Sequence, residues 1–259
     1  MCTCSASDHA TRLGSQIETM FPIKNTIPSR HPAVVTWLLI AVNFTCFLYE
    51  NSLTQTQLDS FLSSYALVTA RYPEQPFAPA AYLPFFTMMF LHAGWLHLIG
   101  NMWTLWLFGP TIEDRIGHAW FLAFYLACGF AAAIAQVASD LSSTVPALGA
   151  SGAIAGVMGC FVFWFPWARI IVVVLIIFLP LFFELPAIVF IGIWFAVQLL
   201  NGTVQLLGPE VGGGVAWWAH VGGFVFGLAV AALLTRPRPA YRPYYADEGI
   251  LGFNPHGYR

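Results

Sequence analysis

Four polar side chains stand inside apolar runs of this chain: His97, Asn101, Ser151 and His220. A serine hydroxyl and an imidazole form the smallest set for nucleophilic attack with general-base help, if Oγ and a ring nitrogen come within about 2.6–3.2 Å. Ser151 lies in "LGASGAIAGVMG" (148–159), framed by Gly149 and Gly152, and no charged residue falls between Leu141 and Ala168. His97 and Asn101 are four apart and share one helical face. Each residue also has a structural reading: a serine beside glycine allows close helix packing, and a buried His or Asn bonds across an interface. Polar groups in membrane spans are costly, and under a six-span topology all four fall in the outward halves of their helices, which points to a site. Other chemistries fit poorly. The serine segment lacks the Lys-Ser/Thr ending of a phosphate loop, and Ala153 breaks G-x-S-x-G. No H-E-x-x-H occurs, His92 and His97 are five apart, and Glu184 stands alone as an acid, so neither a metal nor a cofactor is implied.

The elements that must position these groups are membrane helices. The chain is 58% hydrophobic and 8% charged, with a mean hydropathy of +0.71; soluble domains carry about 25% charge. A net charge of −2 gives no basic footprint for nucleic acid. Cys46, Cys128 and Cys160 fall in apolar runs and read as small hydrophobes, while Cys2 and Cys4 make a C-x-C too slight to support a metal or redox site. Residues 1–32 read as a polar tail ahead of an uncleaved first helix. Residues 33–235 read as a membrane domain with spans near 33–49, 94–112, 118–139, 151–168, 185–206 and 215–235. Residues 236–259 read as a Pro- and Tyr-rich tail. Residues 50–93 read as a long loop lying partly in the interface, and 170–183 as a re-entrant or interfacial piece before the fifth span, whose polar interruptions include Gln198. With six spans, Lys24, Arg30, Arg115, Arg169, Arg236, Arg238 and Arg242 share one side with both termini, and Arg71 alone lies opposite. The positive-inside rule makes that side cytoplasmic.

Glycines sharpen the reading. Ser and His side chains are short, so the helices that carry them must nearly touch. Gly149 just before the fourth span and Gly152, Gly156 and Gly159 along it read as helix-packing residues around the site, and Ala219, Gly223 and Gly227 recur every four residues on the sixth. Such small-xxx-small patterns allow close backbone approach.

Three separated pieces, "HLIGN" (97–101), "GASG" (149–152) and "AHVGG" (219–223), resemble the rhomboid family of intramembrane serine proteases, as does "EDRIG" (113–117). The resemblance covers residues 20–235 and implies an all-α, six-transmembrane-helix bundle. Two departures are visible: "AYLPFF" stands where many members carry a Trp-Arg pair, and Ala155 where many carry a tyrosine beneath the histidine. The expected mechanism is a dyad, with Ser151 as nucleophile and His220 as base. The Ser151 N–H, the Asn101 amide and the His97 imidazole would hold the oxyanion at a helix N-terminus. The resemblance further implies transmembrane protein substrates cut near the outer membrane face, and a lateral gate at the fifth helix (Gly192 and Ile193–Phe195). Loop 207–214 is a candidate lid. The expected setting is a bacterial inner membrane with cytoplasmic termini. Two alternatives remain: an inactive relative that binds and retains membrane proteins, and a small transporter, for which no internal repeat is visible.

Overall fold

The structure, a computed structural model, describes residues 20–73, 82–176, 179–207 and 215–234. Most of the expected lid, and the segments 1–19 and 235–259, lie outside the described residues. Helix α1 spans Val34–Ser52. Its first-turn amides have no acceptor within the helix. Glu113, near the end of a later helix, supplies one: Oε1 accepts from the Val35 N–H at 2.7 Å, and Oε2 from the Thr36 N–H at 2.8 Å and hydroxyl at 2.6 Å. Asp114 beside it accepts from the amides of Arg30 (3.1 Å) and His31 (2.9 Å). The "EDR" turn thus ties two helices together at one end of the bundle.

Among its described residues, the connection read as a loop over 50–93 is mostly helix and 3₁₀ turn. Helix α2 (Gln55–Tyr65) starts at Thr54, whose N–H donates to Gln57 Oε1 at 3.0 Å. A 3₁₀ turn (Thr69–Arg71), a single turn α3 (Pro84–Thr87) and a second 3₁₀ turn (Met88–Phe90) follow. Next come α4 (Trp95–Ile116), α5 (His118–Ser139), α6 (Ser151–Trp164), α7 (Ala187–Leu207) and α8 (Trp217–Leu233). The chain is mostly helical. Among the described residues, three helices are long and apolar enough to cross a membrane: α1, α5 and α7. Helices α6 and α8 are shorter apolar helices, and α4 ends in Glu113, Asp114 and Arg115.

Residues 170–183, read as a re-entrant or interfacial piece, are built of β-strand. They form an antiparallel hairpin, β2 (Arg169–Ile176) and β3 (Leu179–Pro186). Strand β1 (Met20–Asn25), from the segment read as tail, completes a sheet of order β1-β2-β3. Val172 faces Phe183 on one side of β2, and Val173 faces Phe21 on the other. The β-branched run Ile170–Val174 suits a strand, and Pro180 and Pro186 both fall on the edge strand, where a missing N–H is tolerated. An apolar run without a clear period does not distinguish strand from helix, so hydropathy alone does not reveal the two strands. Side-chain bonds anchor β1 to α4: Trp103 Nε1–H donates to the Pro22 carbonyl at 2.5 Å and Asn25 Nδ2–H to the Leu107 carbonyl at 2.6 Å.

Helix α6 is the axis of the bundle, with Gly152 through Phe161 all buried. It packs against α8 backbone to backbone. A Cβ placed on Gly223 would collide with the carbonyl oxygen of Gly152, one on Gly227 with that of Gly156, and one on Gly159 with that of Phe224. Farther along, Trp164 Nε1–H donates to the Ala231 carbonyl at 3.1 Å, joining the same two helices.

Candidate active site

Ser151 is the first residue of α6, and His220 lies in the first turn of α8. Because glycine holds the two helices in contact, these short side chains meet: His220 Nε2 is 2.7 Å from Ser151 Oγ. The first turn of α8 is itself tied down, since the Ala219 N–H donates to Gln136 Oε1 on α5 at 3.1 Å. Gly152 sits where a Cβ would press on Ala132 Cβ at 2.6 Å, and Ala219 is buried beside it. A Cβ on Gly156 would collide with Cys128.

The other face of the imidazole is held from α7. His220 Nδ1 is 2.8 Å from Gln198 Oε1, and Gln198 Nε2–H donates to the Trp194 carbonyl at 3.1 Å. The Trp194 ring lies 5.9 Å from the imidazole, inclined at 39°, and the Trp217 ring lies 6.2 Å away, perpendicular to it. Ala155, at the position where a tyrosine is frequent in the family, is buried and brings no ring. Aromatic contact with His220 therefore comes from α7 and from its own helix.

His97 and Asn101, both on α4, converge beside Gly149. That glycine has φ +125°, a left-handed conformation that only glycine adopts without strain. A Cβ there would lie 2.7 Å from His97 Nε2 and 3.5 Å from Asn101 Nδ2. Gly149 does not pack a helix interface, as its place in the small-residue set suggested; it leaves room for two polar side chains two residues before Ser151. The Ala93 N–H reaches His97 Nδ1 at 3.4 Å, which leaves Nε2 as the protonated nitrogen of a neutral ring. Asn101 Nδ2 is buried and donates to no protein acceptor. An unspent buried donor is uncommon, and this one points toward the same place.

These groups open onto a cavity of about 750 Å³. Ser151, His220, His97 and Asn101 all line it, with Thr104 of α4 on one wall and Trp194 of α7 on the other. Among the described residues no three His, Cys, Asp or Glu side chains are grouped to hold a metal ion. Gln198, Gln136 and Trp194 are the contacts that sequence reasoning missed. The glutamines carried a readable signal, being polar side chains within apolar helices.

Comparison with known proteins places the chain in a family. The Rhomboid domain matches residues 79–237, more than half of the chain. Rhomboid protein 1, mitochondrial, of Saccharomyces cerevisiae is 28% identical over 204 residues, covering 76% of this chain and 52% of the yeast protein. The human presenilin-associated rhomboid-like protein, mitochondrial, is 29% identical over 155 residues, 56% of this chain and 36% of the human one. A candidate rhomboid protease of Bacillus subtilis, YdcA, is 38% identical over 77 residues, 30% of this chain and 38% of its own. The chain thus spans between about a third and a half of the relatives it matches. Several of these relatives are named as mitochondrial, and a bacterial inner membrane draws no support from them. The domain match includes every segment that carries the polar cluster, from His97 to His220, so this chain belongs to the rhomboid family.

Proposed function

We propose that this chain is an intramembrane serine endopeptidase that cuts transmembrane proteins with a Ser151–His220 dyad. The observation that carries the reading is the 2.7 Å approach of His220 Nε2 to Ser151 Oγ across the α6–α8 interface. In the reaction His220 takes the Ser151 proton as Oγ attacks the scissile carbonyl. It then gives that proton to the leaving amine, and a water repeats the cycle on the acyl-enzyme. The tetrahedral oxyanion is held by the Ser151 N–H, which has no acceptor in the first turn of α6, by Asn101 Nδ2 and by His97 Nε2–H. These donors are fixed before the charge develops, which is what makes them effective. The N-terminal dipole of α6 adds to them.

The substrate is a transmembrane segment of another protein, bound in lipid, with no nucleic acid involved. It reaches Ser151 through the cavity between α4 and α7, near the outer membrane face. A helical substrate hides its carbonyls in its own hydrogen bonds, so helix-breaking residues near the cut favour cleavage. Helices α1, α4, α5, α6, α7 and α8 are the six spans, and Lys24, Arg30, Arg115 and Arg169 mark the cytoplasmic side. The test is cleavage of a single-span substrate by the chain reconstituted in liposomes. Ser151→Ala abolishes it on this reading; undiminished cleavage refutes the mechanism. A parent chain that binds the substrate but never cuts it supports the alternative of an inactive binding and retention factor.

A further inference from the structure

We infer that Gln198 is a third member of the catalytic set, a positioning residue that fixes the tautomer of His220. The inference rests on the Ser151–His220 reading and deepens it. A neutral imidazole serves as base at Nε2 only if its proton sits on Nδ1. The choice between the two tautomers is set by what Nδ1 faces. Gln198 presents either an acceptor oxygen or a donor amide there, and its own second bond decides which. The Trp194 carbonyl, 3.1 Å from Gln198 Nε2, accepts hydrogen bonds and cannot donate them. The amide nitrogen must therefore face Trp194, which turns Oε1 toward His220 Nδ1 at 2.8 Å. Oε1 accepts the Nδ1 proton, and the lone pair of Nε2 is left facing the Ser151 hydroxyl at 2.7 Å.

The chain of bonds runs in one direction, from Ser151 Oγ–H through the imidazole and the Gln198 amide to a backbone carbonyl. Gln198 is buried, 5% exposed, so water does not readily replace it. A buried N–H without an acceptor is expensive, and removal of Oε1 would move the proton to Nε2, where it faces the hydroxyl it should receive. Gln198 and His220 stand on different helices, α7 and α8, which are also joined by the Phe195–Phe224 stack at 4.2 Å. The protonation pattern of the base is thereby set by the packing of α7 on α8. The part resembles that of the carboxylate in a serine-protease triad, without a buried charge.

Three variants of the full chain in liposomes test this. Gln198→Leu keeps the volume and removes the acceptor, Gln198→Asn keeps an amide but falls short of the ring, and Gln198→Glu keeps an acceptor at the right reach. The Leu and Asn variants are expected to lose about 10- to 100-fold in kcat, the range of one buried hydrogen bond, with KM within about twofold. Fluorophosphonate labelling of Ser151, which needs the base but not the substrate, slows in parallel. Gln198→Glu restores kcat to within about fivefold of the parent, because a protonated carboxyl group donates its O–H to the Trp194 carbonyl and offers its other oxygen to the same Nδ1–H. Unchanged kcat in Gln198→Leu overturns the inference. So does a loss confined to KM, or a loss in Gln198→Glu equal to that in Gln198→Leu. If Ser151→Ala abolishes cleavage while Gln198→Leu leaves it intact, only the role of Gln198 falls. If Ser151→Ala still cleaves, the serine mechanism itself falls.

Discussion

Gly223→Ala adds one methyl group at the contact on which the site depends. The new Cβ would collide with the carbonyl oxygen of Gly152, a backbone atom that no rotamer change can move. Relief requires α6 and α8 to separate by about 1 Å to regain van der Waals distance. The His220 Nε2–Ser151 Oγ distance, 2.7 Å in the parent, would then open to about 3.7 Å, beyond the 3.2 Å reach of a hydrogen bond. A displacement of that size at reacting groups costs on the order of 100-fold in rate, and overpacking a close interface destabilises by about 1–3 kcal/mol. The assay pairs initial rates of substrate cleavage in liposomes with thermal unfolding by differential scanning fluorimetry. Val225→Ala is the control: it lies on the same helix between Gly223 and Gly227 but is 52% exposed on the outer face, and its rate should match the parent. If Gly223→Ala keeps full activity and melting temperature, the argument that glycine contact delivers the hydroxyl to the imidazole is wrong.

Other perturbations follow from the same geometry. Asn101→Ala removes the donor proposed for the oxyanion and should lower kcat by about 10²–10³-fold with little change in KM; a rise in KM alone would show that Asn101 binds substrate instead. Gly149→Ala forces a side chain into a left-handed backbone and against His97 Nε2 at 2.7 Å, so both melting temperature and kcat should fall, whereas a fully active variant would remove Gly149 from the site. Glu113→Gln weakens the cap that α4 places on the first turn of α1 and should destabilise by about 1–3 kcal/mol, read as a lower melting temperature with residual activity in the folded fraction.

Much of the site was legible because a membrane makes polar residues conspicuous. His97, Asn101, Ser151 and His220 each interrupt an apolar run, and the small-residue spacing on two helices predicted their contact. Gln198 interrupts a run in the same way, but it reads as a span boundary until its partner on α8 is known, since pairing between distant helices leaves no local pattern. Gly149 joined the packing glycines because its role depends on a backbone φ, which residue type does not encode. The β1-β2-β3 sheet escaped detection for a different reason. After Arg169 its central strand is an apolar run that lacks both a helical and an alternating period, and its outer partner Met20–Asn25 lies in a stretch whose polarity suggests a tail. Helix α2 was missed although Thr54 and Gln57 are a readable capping pair, because the prolines that follow it, from Pro73 to Pro84, dominated the reading of 50–93.

The most direct test of the account is where a serine-directed reagent reacts. Treatment of the folded chain in detergent with a fluorophosphonate, followed by peptide mass spectrometry, should find a single adduct on Ser151. That adduct should be absent from His220→Ala at equal protein fold and concentration. An adduct on another serine, or one on Ser151 that forms as fast without His220, would contradict the claim that this hydroxyl is activated by that imidazole.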